Sequence, residues 1–170
     1  MTSYIEAYFE RTQETLGRIL NESGASIRQA AEAIADTIQK GGMLLTFGSG
    51  HSAFIAKDMA YRAGGLAPVL AIDDVADGDA ERLEGLAQYL LARYELRPGN
   101  VILIISNSGI NPVPIEMAQI AKQVGLKTIA ITSLAHSRSM TSRHSSGKKL
   151  YEIVDIVEHV FLRLYLNDNL

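Results

Sequence analysis

Cysteine is absent from the 170-residue sequence. That excludes disulfides, thiolate zinc sites and cysteine nucleophiles, and it fits a reducing compartment. Basic residues are not in excess: 16 Lys and Arg stand against 19 Asp and Glu, for a net charge of −3. The chain therefore lacks the basic footprint that nucleic acid would require. No apolar run approaches the ~18 residues of a membrane span. The opening stretch MTSYIEAYFERTQETL carries charges throughout, unlike a signal peptide. Internal repeats and low-complexity linkers are also lacking. These absences leave a cytoplasmic single domain, long enough to bury a sizeable core.

Two helical patterns come first. Ile5, Tyr8, Phe9, Leu16, Ile19 and Leu20 recur at near-helical spacing, and ESGAS interrupts them. Ser26 then reads as the cap of a second helix carrying Ile27, Ala30, Ala31, Ile34 and Ile38, ended by KGG. From there strands alternate with helices. The strands are expected at 43–47, 67–72, 101–106, 128–133 and 151–157, and the intervening helices at 53–62, 82–93 and 114–124. A helical tail follows. The alternation predicts an α/β fold, a three-layer α-β-α sandwich around a five-stranded, mainly parallel sheet, preceded by the two helices. Residues 1–170 form one domain, with 1–41 as the N-terminal helices and 42–170 as the sheet core.

In an open parallel sheet, ligands bind beyond the carboxyl ends of the strands. The loop after the first strand is Gly48-Ser49-Gly50-His51-Ser52, and the loop after the third is Ser106-Asn107-Ser108-Gly109-Ile110-Asn111-Pro112. Thr132 and Ser133 follow the fourth strand. All three should emerge on one edge. Hydroxyls, close-approach glycines and helix N-termini with unpaired N–H groups make an anion site, most naturally for phosphate. Neither of the first two loops contains Lys or Arg, so neutral donors would hold the anion. Taken singly, the Gly-x-Gly reads equally as a tight turn, and Ser108 or Asn111 as a helix cap. A dinucleotide site is a weaker alternative: Ala53 stands where the third glycine of the fingerprint belongs, although Asp73 and Asp74 fall at a ribose-contacting distance. No Gly-Lys-Ser/Thr of a Walker A loop occurs.

The GSGHS loop and the stretch ISNSGINPVPIEMAQIAKQVGLKTIAIT resemble the SIS (sugar isomerase) domain family over nearly the whole chain. YRAGGLAPV, ERLEGLA and SRHSSGKKLYE resemble its phosphoheptose isomerase-like members and, more closely, the UPF0309 subgroup. The resemblance implies a flavodoxin-like SIS fold that binds phosphosugars, with aldose–ketose isomerisation as one activity. It implies phosphate-binding roles for Gly48, Ser49, Gly50, Ser52, Ser106, Asn107, Ser108, Gly109 and Asn111, the last standing where some members have a serine. It also implies a homodimer or homotetramer joined through the N-terminal helices. Tyr4, Ile5, Tyr8 and Phe9 suit that contact, or else cap their own core.

The chain departs from the family where proton transfer is concerned. Isomerisation needs a base and a partner acid. Phosphoheptose isomerases take a glutamate from the helix after the first loop, and here Tyr61 and Arg62 occupy that turn. Asp58 lies on the same helical face as His51 if the helix starts early, and it reads equally as a solvated charge. His51 is the first catalytic candidate because of its loop, and His144 in SRHSSGKK is the second. His136 and His159 read as surface histidines. No metal or organic cofactor is implied by the spacing of histidines and carboxylates, although some phosphoheptose isomerases use zinc. Subgroup members are longer between the second strand and ERLEGLA and after the fifth strand. Residues 73–80 and 155–162 therefore read as compressed junctions, one of which would otherwise supply a glutamate. The readings left open are a non-catalytic phosphosugar sensor, a protein-binding adaptor, and an etherase acting on amino-sugar phosphates.

Overall fold

A computed structural model describes residues 3–159. Four largely apolar runs and the mixed segment IVEH form strands β1 (Leu44–Gly48), β2 (Val69–Ala71), β3 (Val101–Ile105), β4 (Lys127–Thr132) and β5 (Ile156–His159). They pair in the order β2-β1-β3-β4-β5, and every pair is parallel. All residues of β1 and β3 are buried, as expected of strands covered on both faces.

Alternate residues of each strand enter different core clusters. Leu45, Phe47, Ile102 and Ile104 pack with Val113, Met117, Ala118 and Ala121 of helix α4 (Pro112–Val124) and with Leu90 and Leu91 of α3 (Leu86–Leu91). Leu44, Val101, Leu103 and Ile105 pack with Ala30 of α1 (Tyr4–Gln39) and Ala56 of α2 (His51–Tyr61). The result is the expected three-layer α/β sandwich. A further short helix, α5 (Leu134–Ser139), follows β4.

Four elements differ in extent from the sequence expectation. The two N-terminal helices are one continuous 36-residue helix, α1. ESGAS does not interrupt it, because a mid-helix glycine costs only about 1 kcal/mol and no proline is present. The small side chains instead let α1 approach β5. Ser23 and Gly24 are buried, and Ser23 Oγ donates to the His159 carbonyl at 3.2 Å. Ser26 is not a cap: its Oγ donates back to the Ser23 carbonyl at 2.9 Å and lies 3.1 Å from the Glu158 carboxylate.

Helix α3 is shorter than the expected 82–93, because Glu81 and Leu83 are held in turns on Gly78 and Ala80. β5 begins later than expected, since Leu150–Glu152 close into a 3-10 turn whose Leu150 is fully buried. Of the expected C-terminal helix, Glu158 and His159 belong to β5, and the rest lies outside the described residues.

Candidate functional site

The chain leaves β1 toward β2 on one side and β3 toward β4 on the other. A crevice therefore opens between the carboxyl ends of β1 and β3, the switch point at which open α/β sheets bind ligands. Gly48 pairs with Ile105 in register, so Ser49 and Ser106 leave the sheet side by side. A cleft of about 380 Å³ lies there. Its walls are Ser49–Ser52 of the first loop, Ser106–Ser108 of the second, Asn111 and Pro114 at the start of α4, and Asp77, Gly78 and Glu81 from the connection after β2.

Two of these walls meet backbone to backbone. Gly50 has φ +54° and Gly78 has φ +94°, both in the region that favours glycine. A Cβ on Gly78 would lie 2.9 Å from the Gly50 Cα. Asp74 fixes the contact. Its buried carboxylate accepts from the Ser49 hydroxyl and the Gly78 N–H, both at 2.8 Å, and from the Ala76 N–H at 3.2 Å. With its oxygens so occupied, Asp74 anchors a loop and is not free for the ribose contact of the dinucleotide reading.

Among the described residues, the N–H groups of Gly50, His51, Asn107 and Ser108 have no protein acceptor, and the hydroxyls of Ser52 and Ser108 have no protein partner. All belong to residues lining the cleft. These free donors differ in part from those expected. Ser49 is tied to Asp74. Ser106 Oγ accepts from the Gly109 N–H at 3.2 Å. Helix α4 offers few amides at its start, since Pro112 and Pro114 carry no N–H and the Val113 N–H donates to the Glu81 carbonyl at 3.2 Å. Asn111 occupies the N-cap position without making a side-chain cap bond. Gly48 and Gly109 are buried and lie behind the lining residues. The Asn107 carbonyl accepts from the Ser133 N–H at 2.9 Å and from Thr132 Oγ1 at 3.2 Å, tying the second loop to β4.

Asp77, Gly78, Glu81 and Pro114 line the cleft without having been singled out by the sequence, and of these Glu81 is tied to the predicted residue Asn111. Its Oε1 accepts from Asn111 Nδ2 at 2.6 Å, and Asn111 Oδ1 accepts from Arg143 Nη1 at 2.8 Å. The Asn111 amide is therefore engaged at both ends. Burial pushes the Glu81 carboxyl above the ordinary glutamate range, and Asp74 adds to that; Arg82, Arg143 and the Asn111 bond pull it partly back.

His51 lines the cleft at the first turn of α2 and is exposed. His144 does not join it. Nε2 of His144 lies 3.7 Å from Glu116 Oε1, and the imidazole is largely covered. Glu84, Glu116 and His144 bring ligand atoms within 4.8 Å of one another. The same groups also make local hydrogen bonds. His144 Nδ1 lies 2.7 Å from the Ser146 hydroxyl and accepts from the Ser146 N–H at 3.1 Å. Glu116 already accepts from the Gly85 N–H at 2.6 Å, and Glu84 accepts from the Ser145 hydroxyl at 2.8 Å. The cluster fastens the 142–147 segment to its neighbours. Asp58 pairs with Arg62 on the exposed side of α2, and Tyr61 is exposed at the end of that helix; none of the three lines the cleft.

Known proteins share this architecture. A phosphoheptose isomerase from Francisella tularensis superposes with a TM-score of 0.69 at 25% identity, covering 94% of this chain and 86% of that one. The fold is also that of the phosphoheptose isomerase of Neisseria gonorrhoeae, with a TM-score of 0.68 at 21% identity over 92% of this chain and 84% of that one. A UPF0309 protein of Geobacillus kaustophilus is 41% identical over 162 residues, 90% of this chain and 64% of that protein. One of Listeria monocytogenes is 41% identical over 150 residues, 88% of this chain and 64% of that protein. The chain thus spans just under two thirds of the length of these relatives. The SIS domain family model matches residues 7–133, which takes in the N-terminal helix and both loops of the cleft, and the chain belongs to the SIS domain family.

Proposed function

We propose that this chain binds the phosphate of a phosphorylated sugar in the cleft between β1 and β3 and isomerises the sugar between aldose and ketose forms. One observation carries the reading: unpaired donors from two separate loops, the N–H groups of Gly50, His51, Asn107 and Ser108 and the hydroxyls of Ser52 and Ser108, line a single cleft. A helix start leaves spare donors as a rule, but here the spare donors of two separate loops face one cleft. Hydrogen bonds to a charged acceptor are worth about 1.5–3 kcal/mol each. Four or five would offset the cost of capture and leave micromolar affinity, about −8 kcal/mol. The similarity to phosphoheptose isomerases supports the sugar assignment. Such a substrate is charged and stays where it is made, which suits the cytoplasm. Residues 1–170 act as one SIS domain, with α1 joining copies into a homodimer or homotetramer.

The test is direct. Sugar phosphates that bind should raise the melting temperature in proportion to occupancy. Ser108→Ala should weaken them by about 1–3 kcal/mol. Unchanged affinity in that variant would remove the second loop from the site. Proton exchange at the carbon beside the carbonyl, followed by NMR in heavy water, separates an isomerase from a sensor or adaptor. Binding without exchange would establish the non-catalytic role.

A further inference from the structure

We infer that the Glu81 carboxylate is the proton-transferring group of the cleft, aimed by Asn111 and Arg143; the inference rests on the phosphosugar reading above. The first argument is placement. Glu81 lines the same cleft as the donor loops although it comes from a different connection, the one after β2. A carboxylate cannot share an anion cradle with a phosphate, because like charges in one site exclude each other. The phosphate therefore occupies the serine loops, and Glu81 marks where the uncharged carbons of the sugar lie.

The second argument is orientation. The chain Glu81 Oε1–Asn111 Nδ2 (2.6 Å) and Asn111 Oδ1–Arg143 Nη1 (2.8 Å) fixes one carboxylate oxygen and leaves Oε2 without a hydrogen bond. If Glu81 served only to hold Asn111, a glutamine would do so without the cost of desolvating a charge. The same burial that makes the charge costly raises the proton affinity of the carboxyl, which brings it nearer to working pH, as a general base requires.

In the aldose-to-ketose direction Glu81 takes the proton from C2. The C2–H pair becomes the C1=C2 bond of an enediol, while the carbonyl pair moves to O1 and is protonated there by a group on the ligand or by water. Glu81 then returns its proton to C1 as O2 loses its own and the C2=O bond forms. No oxidant or cofactor is consumed. Asn111 and Arg143 act as positioning residues.

The experiment uses the full chain with glucose 6-phosphate, ribose 5-phosphate and sedoheptulose 7-phosphate as probes. Melting-temperature shifts report binding, and deuterium incorporation at C1 and C2 reports proton transfer. Glu81→Gln keeps an acceptor for Asn111 and removes the base. It should hold the affinity of the best probe within about threefold while exchange falls at least about 100-fold. Glu81→Asp, still a carboxylate, should retain measurable exchange. The wild-type rate should fall on the acid side with a midpoint above the ordinary glutamate value of about 4.3. Arg82, Arg143 and Asp74 are the charged groups that set that midpoint. Exchange in Glu81→Gln within about threefold of wild type overturns the inference. So does an equal loss of binding and exchange, and so does a wild-type protein that binds but never exchanges. If no probe shifts the wild-type melting temperature, the phosphosugar reading fails first and Glu81 loses its role with it.

Discussion

Gly78 holds two walls of the cleft at a distance that no other residue permits. Its Cα faces Gly50 so closely that an added Cβ would sit 2.9 Å from the Gly50 Cα and 3.0 Å from its nitrogen, both backbone atoms that cannot swing aside. Gly78→Ala must also adopt φ +94°. The variant should lose about 1–3 kcal/mol of stability, read by urea denaturation. It should also weaken sugar phosphates, because displacing Gly50 moves one of the unpaired N–H groups. A variant as stable as wild type with unchanged affinity would show that the contact is dispensable. At this scale the sequence was half legible. GSGHS and SNSG announce themselves by composition. Their hydroxyls are not equivalent, however, since Asp74 and Gly109 engage Ser49 and Ser106 and leave Ser52 and Ser108 free. Glu81 was hidden because it read as the residue before a charged helix at Arg82. Only the retreat of α3 to Leu86 and the reach of Asn111 bring it to the cleft.

Elements were legible in kind and less so in extent. The strands declared themselves as apolar runs, because a parallel sheet covered on both faces needs no alternation. The break expected at ESGAS failed because small residues serve two purposes, interrupting a free helix or letting a packed one come close, and tertiary contact with β5 selected the second. The start of β5 depends on a side chain that no periodicity reveals. Asp155 sits just before the strand, where its Oδ2 accepts from the Thr128 N–H and hydroxyl, both at 2.9 Å, and its Oδ1 accepts from Lys122 Nζ at 2.9 Å. One carboxylate thus clamps β5 to β4 and α4. Partial burial pushes its carboxyl upward, but the bonds from Thr128 and Lys122 outweigh that and hold it below the usual range. A carboxyl depressed in the folded state contributes stability above its unfolded value, about 3.9. That contribution is lost as pH falls through the lower folded value. Asp155→Ala should therefore cost about 1–3 kcal/mol at pH 7. The difference from wild type should shrink below about pH 4, where wild type loses the same contribution. A difference that stays constant down to pH 2 would mean the clamp acts through packing and not through charge.

For the whole molecule, the open question is what covers the front half of α1. The helix has 36 residues, about 54 Å at 1.5 Å per residue. Its buried positions begin only at Ser23. Ahead of them Tyr4, Ile5, Tyr8, Phe9, Leu16 and Leu20 are exposed, Tyr4 by 91% and Tyr8 by 70%. A lone helix of roughly twenty residues with no packed face is marginal in water, and an apolar stripe of that length marks an association surface. Local signals in this half, such as the Ser3–Glu6 capping box and the exposed Arg18–Glu22 pair, contribute about 1–2 kcal/mol together. The oligomer proposed above would supply a covering apolar face: an antiparallel pairing of two such helices would bury the same stripe on each by symmetry. Tyr8→Glu with Phe9→Glu puts two charges on the stripe and touches nothing in the sheet core. Light scattering after size exclusion should show the wild type as a dimer or tetramer and the double variant as a monomer. Far-UV circular dichroism of that monomer should show lost helix, as the unsupported half of α1 frays, while melting of the sheet core remains cooperative. Retention of the oligomer in the charged variant would place the interface elsewhere. A wild-type monomer with full helical content would mean that α1 stands without a partner.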